Sequence, residues 1–314
     1  MAEIFQTDGT WSFDGVAIRV VPGRERGVHL LRQTLGELTV PLAAVAGIAF
    51  EPGRKGGRLR LRLRDGADPL AQATRGRLPD SADPYQLAVE PDRTGVAEYF
   101  AEEVRNALVL EQVPAGPTDR YLLPGPSLPI SVGAGDGTAT FDGERVRLEW
   151  NWKTEEGKKS AGTRVLTLAD ISAVEWQPSA GLENGYLRFT VPPAPAGIPP
   201  KHDPHAVELY GFKKDPLMAL VAAAVTARLP HPSAPAPGAG DGQHGGRPAL
   251  AKPGPGAPGA GTAAAPADHR PPSAAPDEHD ALLRRLRELG ELHRSGILTD
   301  EEFSAAKQAI LRRF

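Results

Sequence analysis

The chain contains no cysteine. That excludes disulfides, thiolate metal sites and cysteine nucleophiles. Aromatic residues are sparse, at 6%. Long hydrophobic runs are missing as well. The most apolar stretch, Leu217 to Val225, falls far short of the roughly 20 residues that cross a bilayer. The opening MAEIFQTDGT has neither a basic region nor an apolar core, so it does not read as a secretory signal. Charge of one sign is lacking too. The net charge is −3, and residues 1–125, 126–230, 231–279 and 280–314 carry −2, −1, −1 and +1. No segment is a polycation, which argues against nucleic acid as a partner. Together these absences lead to an expectation of a soluble, cytoplasmic protein.

What is present is a repeat. DGTWSFDG (Asp8 to Gly15) returns as DGTATFDG (Asp136 to Gly143). VPLAAVAGIAFEPG (Val40 to Gly53) returns as LTLADISAVEWQPS (Leu166 to Ser179). GGRLRLRL (Gly56 to Leu63) returns as NGYLRFTV (Asn184 to Val191), and DPYQLAVE (Asp83 to Glu90) as DPHAVELY (Asp203 to Tyr210). Four blocks in one order define a tandem domain pair, which suits a chain of 314 residues.

Within each copy, two short alternating runs flank an Asp-Gly pair, the signature of a tight hairpin with a primed turn. Val45 to Phe50 and Ile171 to Trp176 read as buried strands. Arg58 to Arg64 alternates arginine with Leu59, Leu61 and Leu63, so one face is buried and the other charged. Each copy closes with a helix. In the first, Val96, Tyr99, Phe100, Val104 and Leu108 share one face. In the second, Asp215 is placed to cap and Pro216 to open a helix that buries Leu217, Leu220, Val221, Val225 and Leu229. Six or seven strands followed by one helix predict an α+β fold. It consists of two PH-like small barrel or sandwich modules, 1–115 and 126–230, each closed by its C-terminal helix.

From Pro230 to Pro276 the chain holds 12 Pro and 9 Gly in 47 residues. Such a composition cannot bury enough apolar surface to fold, and 231–277 is expected to be a disordered tether. From 278 to 314 a helical hairpin is expected. Leu282, Leu286, Leu289 and Leu292 step at helical spacing, Gly296 ends the first helix, and Thr299 to Glu302 form a capping box for the second. Phe303, Ala306, Ile310 and Phe314 share a face of that second helix. A hairpin this short has little core of its own. Its stripe of Leu282, Leu286, Leu289, Leu292, Phe303, Ile310 and Phe314 is the expected contact for a second copy or a protein partner.

In the run GELHRSGILTDEEFSAAKQAILRRF, residues Gly296 to Thr299, Glu301 to Phe303, Lys307, Ile310 and Leu311 resemble the SHOCT family of bacterial short C-terminal domains. The repeated modules, with their W-FDG, VPL--VAG-AFEP and G-LRLRL patterns, resemble the actinobacterial domain-of-unknown-function family 4429, often found as two copies before SHOCT. The second copy departs from the pattern, with Ala139 for Trp11 and Trp176-Gln177-Pro178 for Phe50-Glu51-Pro52. Neither resemblance brings a catalytic residue, and the SHOCT resemblance implies oligomerisation or partner binding.

Several clusters are candidate sites. Arg58, Arg60, Arg62 and Arg64 form either a surface for acidic lipid, phosphate or protein, or a solvated face paired with carboxylates on neighbouring strands. The paired face is preferred, because the second copy keeps only Arg188. Lys153, Lys158 and Lys159 occupy a loop whose counterpart in the first copy carries Arg24 and Arg26. Interleaved Glu25, Glu155 and Glu156 cancel much of that charge, and anionic membrane contact there is the alternative function. His202, Asp203 and His205 lack a further metal ligand. Trp150, Trp152 and Trp176 read as packing and not as a ligand pocket. No nucleophile elbow or paired-carboxylate site stands out, so no catalytic residue, cofactor or metal is expected. The preferred reading is a non-enzymatic interaction or scaffold protein.

Overall fold

The computed structural model describes residues 1–193 and 197–233. The first module opens with a four-stranded antiparallel meander of β1 (Ala2–Gln6), β2 (Gly9–Phe13), β3 (Ala17–Pro22) and β4 (Leu38–Pro41), with a short helix α1 (Leu30–Leu35) before β4. A second antiparallel sheet of β5 (Val45–Gly53), β6 (Gly56–Leu63) and β7 (Gln86–Val89) follows, with α2 (Pro69–Thr74) inserted before β7. Helix α3 (Thr94–Leu110) ends the module.

The second module repeats this plan. Its four-stranded sheet is β8 (Ile130–Ala134), β9 (Gly137–Phe141), β10 (Arg145–Trp150) and β11 (Arg164–Thr167), with α4 (Glu156–Ser160) before β11. Its three-stranded sheet is β12 (Ala173–Gln177), β13 (Gly185–Thr190) and β14 (Ala206–Leu209), and α5 (Met218–Thr226) closes it. The mixed α+β class and the tandem organisation expected from the repeat are both present.

Strand alternation sets the core. In β2 the inward residues are Trp11 and Phe13; in β9 they are Ala139 and Phe141. Trp11 packs against Phe100 of α3, ring centroids 6.3 Å apart. The second core takes its large aromatic from another strand, the fully enclosed Trp176 of β12. The two substitutions that separate the copies thus trade bulk between strands and keep both cores filled.

The hairpins differ from the two-residue primed turn expected at Asp14-Gly15. Phe13 pairs with Ile18, and Phe141 with Val146, so four residues lie outside the pairing in each copy. Asp14 Oδ1 accepts the Val16 and Ala17 N–H groups, both at 2.8 Å. Asp142 Oδ1 accepts those of Glu144 and Arg145 at 2.8 and 2.7 Å. The aspartate acts as a side-chain turn former. Only the glycine is left-handed, with φ of 101° at Gly15 and 115° at Gly143. The tight two-residue connection lies one hairpin earlier, at Thr7-Asp8 and Gly135-Asp136.

The two closing helices bury themselves differently. On α3, Ala97, Phe100, Ala101 and Val104 face the core, while Glu98, Tyr99 and Glu102 face solvent. Tyr99 was expected on the buried face. In α5 every residue from Met218 to Thr226 is buried. A helix apolar on all sides needs cover on all sides. One side packs on β8, β9, β12 and β13 of its own module, and α2 of the first module lies on the other. Leu31, Leu70, Ala73 and Ala82 of the first module therefore belong to the core of the second. Asp215, expected to cap α5, instead sits in the 3-10 turn before it.

The cover is built locally. Asp68 accepts the Leu70 and Ala71 N–H groups at 3.1 and 2.9 Å and caps α2, with Pro69 next in the chain. Tyr85 donates its hydroxyl to the same carboxylate at 2.8 Å. The segment joining the modules also crosses α5. A Cβ on Gly125 would lie 2.6 Å from Cβ of Ala227, so only glycine allows that approach. Arg77 donates to Gln177 at 3.1 Å across the boundary, and His231 Nε2 lies 3.0 Å from the Gly66 carbonyl. Residues 1–233 fall within one compact unit.

Two outcomes follow from this packing. Calorimetry should show both modules melting in one transition, and Leu70→Ala should lower their common stability by about 2–4 kcal/mol. Two separated transitions, with only one moved by the substitution, would contradict a shared core. The second outcome concerns acid. Backbone donors hold the Asp14 and Asp142 carboxyls below their ordinary range. A depressed carboxyl stabilises the fold above its unfolded pKa, about 3.9, and that contribution is lost as pH falls through the lower folded value. Asparagine keeps the acceptor and drops the charge. The urea midpoints of the wild type and Asp14→Asn/Asp142→Asn should therefore differ most near neutrality and converge in strong acid. A gap that does not change with pH would refute this.

Candidate functional site

The side-chain cluster shared most closely by the two copies is centred on the aspartate of the first hairpin. Asp136, in the β8–β9 turn, accepts the Glu208 N–H at 2.8 Å through Oδ1, and its own N–H donates to the Glu208 carbonyl at 3.0 Å. One residue thereby ties the four-stranded sheet to β14. Its carbonyl accepts the Asn151 N–H at 3.1 Å and the Thr154 hydroxyl. Lys158, projecting from α4, completes the cluster. Its ammonium donates to Asp136 Oδ2 at 2.6 Å and to the carbonyls of Ala206 and Pro200 at 2.8 and 3.2 Å. All three ammonium hydrogens are thus used.

The first copy holds the same arrangement with different residues. Asp8 Oδ2 accepts the Ala88 N–H of β7 at 3.0 Å, and its carbonyl accepts Gly23 N–H at 3.0 Å. Arg32 of α1 donates to Asp8 Oδ1 at 2.7 Å and to the Asp8 carbonyl at 3.2 Å. In both modules a cation from the short helix after the third strand closes on the turn aspartate. The pairs differ in solvation. The Lys158 and Asp136 side chains are 0% and 1% exposed, whereas those of Arg32 and Asp8 are 4% and 23% exposed. Burial pushes the Asp136 carboxyl upward, against the pull of Lys158 and of the Glu208 N–H. Gly135 is required beside it, with φ 56°, because a Cβ there would stand 1.7 Å from the Glu208 carbonyl oxygen.

This cluster was missed in the sequence, although both halves of it were visible. Asp8 and Asp136 stand in the first repeat block, and Arg32 and Lys158 each lie 20-odd residues on. By sequence, Lys158 groups with Lys153 and Lys159 as a candidate anion-binding loop. It is enclosed and cannot meet a ligand. Lys159 is exposed, and its ammonium donates to the Trp152 carbonyl at 3.1 Å. The Lys153 ammonium lies over three rings, 4.5 Å from the centroid of Phe212, 5.3 Å from Trp152 and 5.7 Å from Tyr210. Lys158 is therefore set apart, while Lys153 and Lys159 both lie beside Trp152.

The arginine stripe is mostly engaged. Arg58 pairs with Asp80, and Arg60 lies 3.5 Å from Glu51 and 3.9 Å from Asp80. Arg64 donates to the carbonyls of Gly116, Ala43 and Pro117 at 2.8, 2.8 and 3.3 Å. Arg62 is exposed. It borders a concavity of about 430 Å³ together with Arg64, Asp65, Arg75, Asp83 and Tyr85. Two carboxylates offset most of the guanidinium charge there. Arg60 meets a neighbouring-strand carboxylate, Glu51 of β5, whereas the partner of Arg58, Asp80, lies in the turn before β7.

The other clusters disperse. Asp203 is taken by Arg188 at 2.8 Å. Among the described residues no group of three or more His, Asp or Glu could hold a metal ion. Trp176 is core, Trp150 donates its indole N–H to the Gly162 carbonyl at 2.8 Å, and Trp152 is exposed, so the three do not form one pocket. The stripe of Leu282, Leu286, Leu289, Leu292, Phe303, Ile310 and Phe314 lies outside the described residues.

The geometry defines a protein of two homologous α+β modules, each pinned by an aspartate–cation pair that is enclosed in the second and partly exposed in the first. Residues 11–105 and 139–226 match the domain of unknown function DUF4429, and the chain belongs to that family. Residues 284–311 match the Short C-terminal domain, SHOCT. No curated protein matches the chain.

Truncating one partner of an enclosed ion pair leaves an uncompensated charge. Lys158→Met should cost about 3–5 kcal/mol in urea unfolding, and Asp136→Asn added to it should recover much of the loss. Arg32→Met should cost less, because water reaches Asp8. Equal costs for the two single substitutions would remove the solvation argument.

Proposed function

We propose that the chain is a non-enzymatic interaction protein. The two modules serve as one platform, and the Short C-terminal domain, carried beyond a Pro-, Gly- and Ala-rich segment, associates with a second copy or with a protein partner. The observation that carries this reading is the shared core. Leu70 and Ala73 of the first module cover α5 of the second, so the repeat acts as one body and not as two independent adaptors. In each module the order of a four-stranded sheet, a three-stranded sheet and a closing helix resembles the PH superfold, with the two sheets and the helix enclosing a small barrel-like core. The family matches, a domain of unknown function and a short C-terminal domain, agree with a role outside catalysis. The lack of cysteine suits a reducing cytoplasm. A tethered association domain raises the local concentration of whatever the platform holds.

Light scattering on residues 1–314 and on 1–233 tests the reading. The full chain should be oligomeric or retain a partner, and the shorter one should be monomeric without that partner. Two monomers with identical partner pull-downs would sink the proposal.

A further inference from the structure

The second module carries a surface that the first lacks. Trp152 is 67% exposed at the β10–α4 connection. Its loop is nonetheless fixed. Asn151 Oδ1 accepts the Lys153 N–H at 2.8 Å, and Asn151 Nδ2 donates to the Gly135 carbonyl at 3.0 Å. The neighbouring β14–α5 connection is fixed too, because the buried Asp215 accepts the Gly211 and Phe212 N–H groups at 2.7 and 3.1 Å. The Lys153 ammonium, over both Trp152 and Phe212, joins the two loops into one patch. Lys159, on α4, and Lys213 and Lys214, on the β14–α5 connection, are exposed.

From this we propose that Trp152, Phe212, Lys153, Lys159, Lys213 and Lys214 form a docking surface for an anionic lipid bilayer. Four ammonium groups face two exposed carboxylates on these loops, Glu155 and Glu156, so the patch is net positive in a chain that is net negative. The side-chain chemistry favours a bilayer over an acidic protein. An indole with one polar edge settles at headgroup depth. Lysine ammoniums are point charges that suit a diffuse anionic surface, without the fork geometry that selects one carboxylate. A bilayer also needs no shaped pocket.

The first module is the internal control. Where the second has Tyr210-Gly211-Phe212-Lys213-Lys214, the first has Glu90-Pro91-Asp92-Arg93. Its other loop, Arg24-Glu25-Arg26, has no aromatic residue. The inference does not depend on the role of the C-terminal domain, and its readout is separate from oligomeric state.

Co-sedimentation of the full chain with phosphatidylcholine vesicles, with and without phosphatidylserine, tests it. Binding should require phosphatidylserine and should fall as salt rises. Lys213→Glu/Lys214→Glu should weaken it about tenfold or more. Trp152→Ala should weaken it severalfold with little change in salt dependence, and Arg24→Glu/Arg26→Glu should leave it unchanged. All substituted side chains are exposed, and melting temperatures matching the wild type would verify folding. No sedimentation at low salt, or an undiminished affinity in the Lys213/Lys214 variant, overturns the proposal. So does competition by soluble polyglutamate with no effect of Trp152→Ala, which would reassign the surface to an acidic polypeptide.

Discussion

The bond from the first-turn aspartate to the last strand organises each module. Asp8 and Asp136 sit where a four-stranded meander begins, yet their carboxylates accept N–H groups from β7 and β14, about 80 and 72 residues away. A sheet edge so joined to another sheet fixes how the two layers meet. The short-helix cation then neutralises the carboxylate that makes the joint. In the second module this leaves Lys158 with its hydrogens fully used. An unpaired charge at such a position would be costly, so the helix that delivers the cation is tied to the joint it completes. Both copies keep this arrangement while exchanging Arg32 for Lys158, so charge and reach matter there more than side-chain identity.

The copies diverge where they touch each other. The first module inserts α2 between β6 and β7, and the second has the proline-rich sequence 191–205 in that place. Helix α2 covers α5. Among the described residues nothing comparable covers α3, whose outer face exposes Glu98, Tyr99 and Glu102. The contact is therefore head to tail: the insert of one module seats on the closing helix of the other. The aromatic and basic patch of the second module belongs to the same pattern: a shared frame with different loops.

Much of this was legible in the sequence. The repeat blocks, the alternation of Leu59 and Leu61 with arginines, and the two closing helices all follow from local periodicity. The all-apolar composition of Met218 to Val225 also implies cover on both sides, but the sequence pattern alone does not name the covering element. The Asp68-Pro69 start of α2 is a cap signal in the sequence, but a helix of six residues gives it no periodic stripe to support it. Lys158 was misplaced for a physical reason. A lysine in a Glu-rich loop looks solvated, and only the fold brings Asp136, Ala206 and Pro200 around its ammonium. Asp14 was read correctly as a turn residue but with the wrong turn, since its side chain takes the N–H groups that a primed turn would leave to the backbone. The exposed Trp152 was read as packing because no local pattern separates an outward tryptophan from an inward one.

The central claim is that the first module completes the second by covering α5. Native-state hydrogen exchange on the α5 amides in the wild type and in Leu70→Asp tests it most directly. The account predicts that protection in α5 falls sharply along with that in α2, while α3 keeps most of its protection. Unchanged protection in α5 would mean that the second module is complete by itself, and the shared core would then have no energetic meaning.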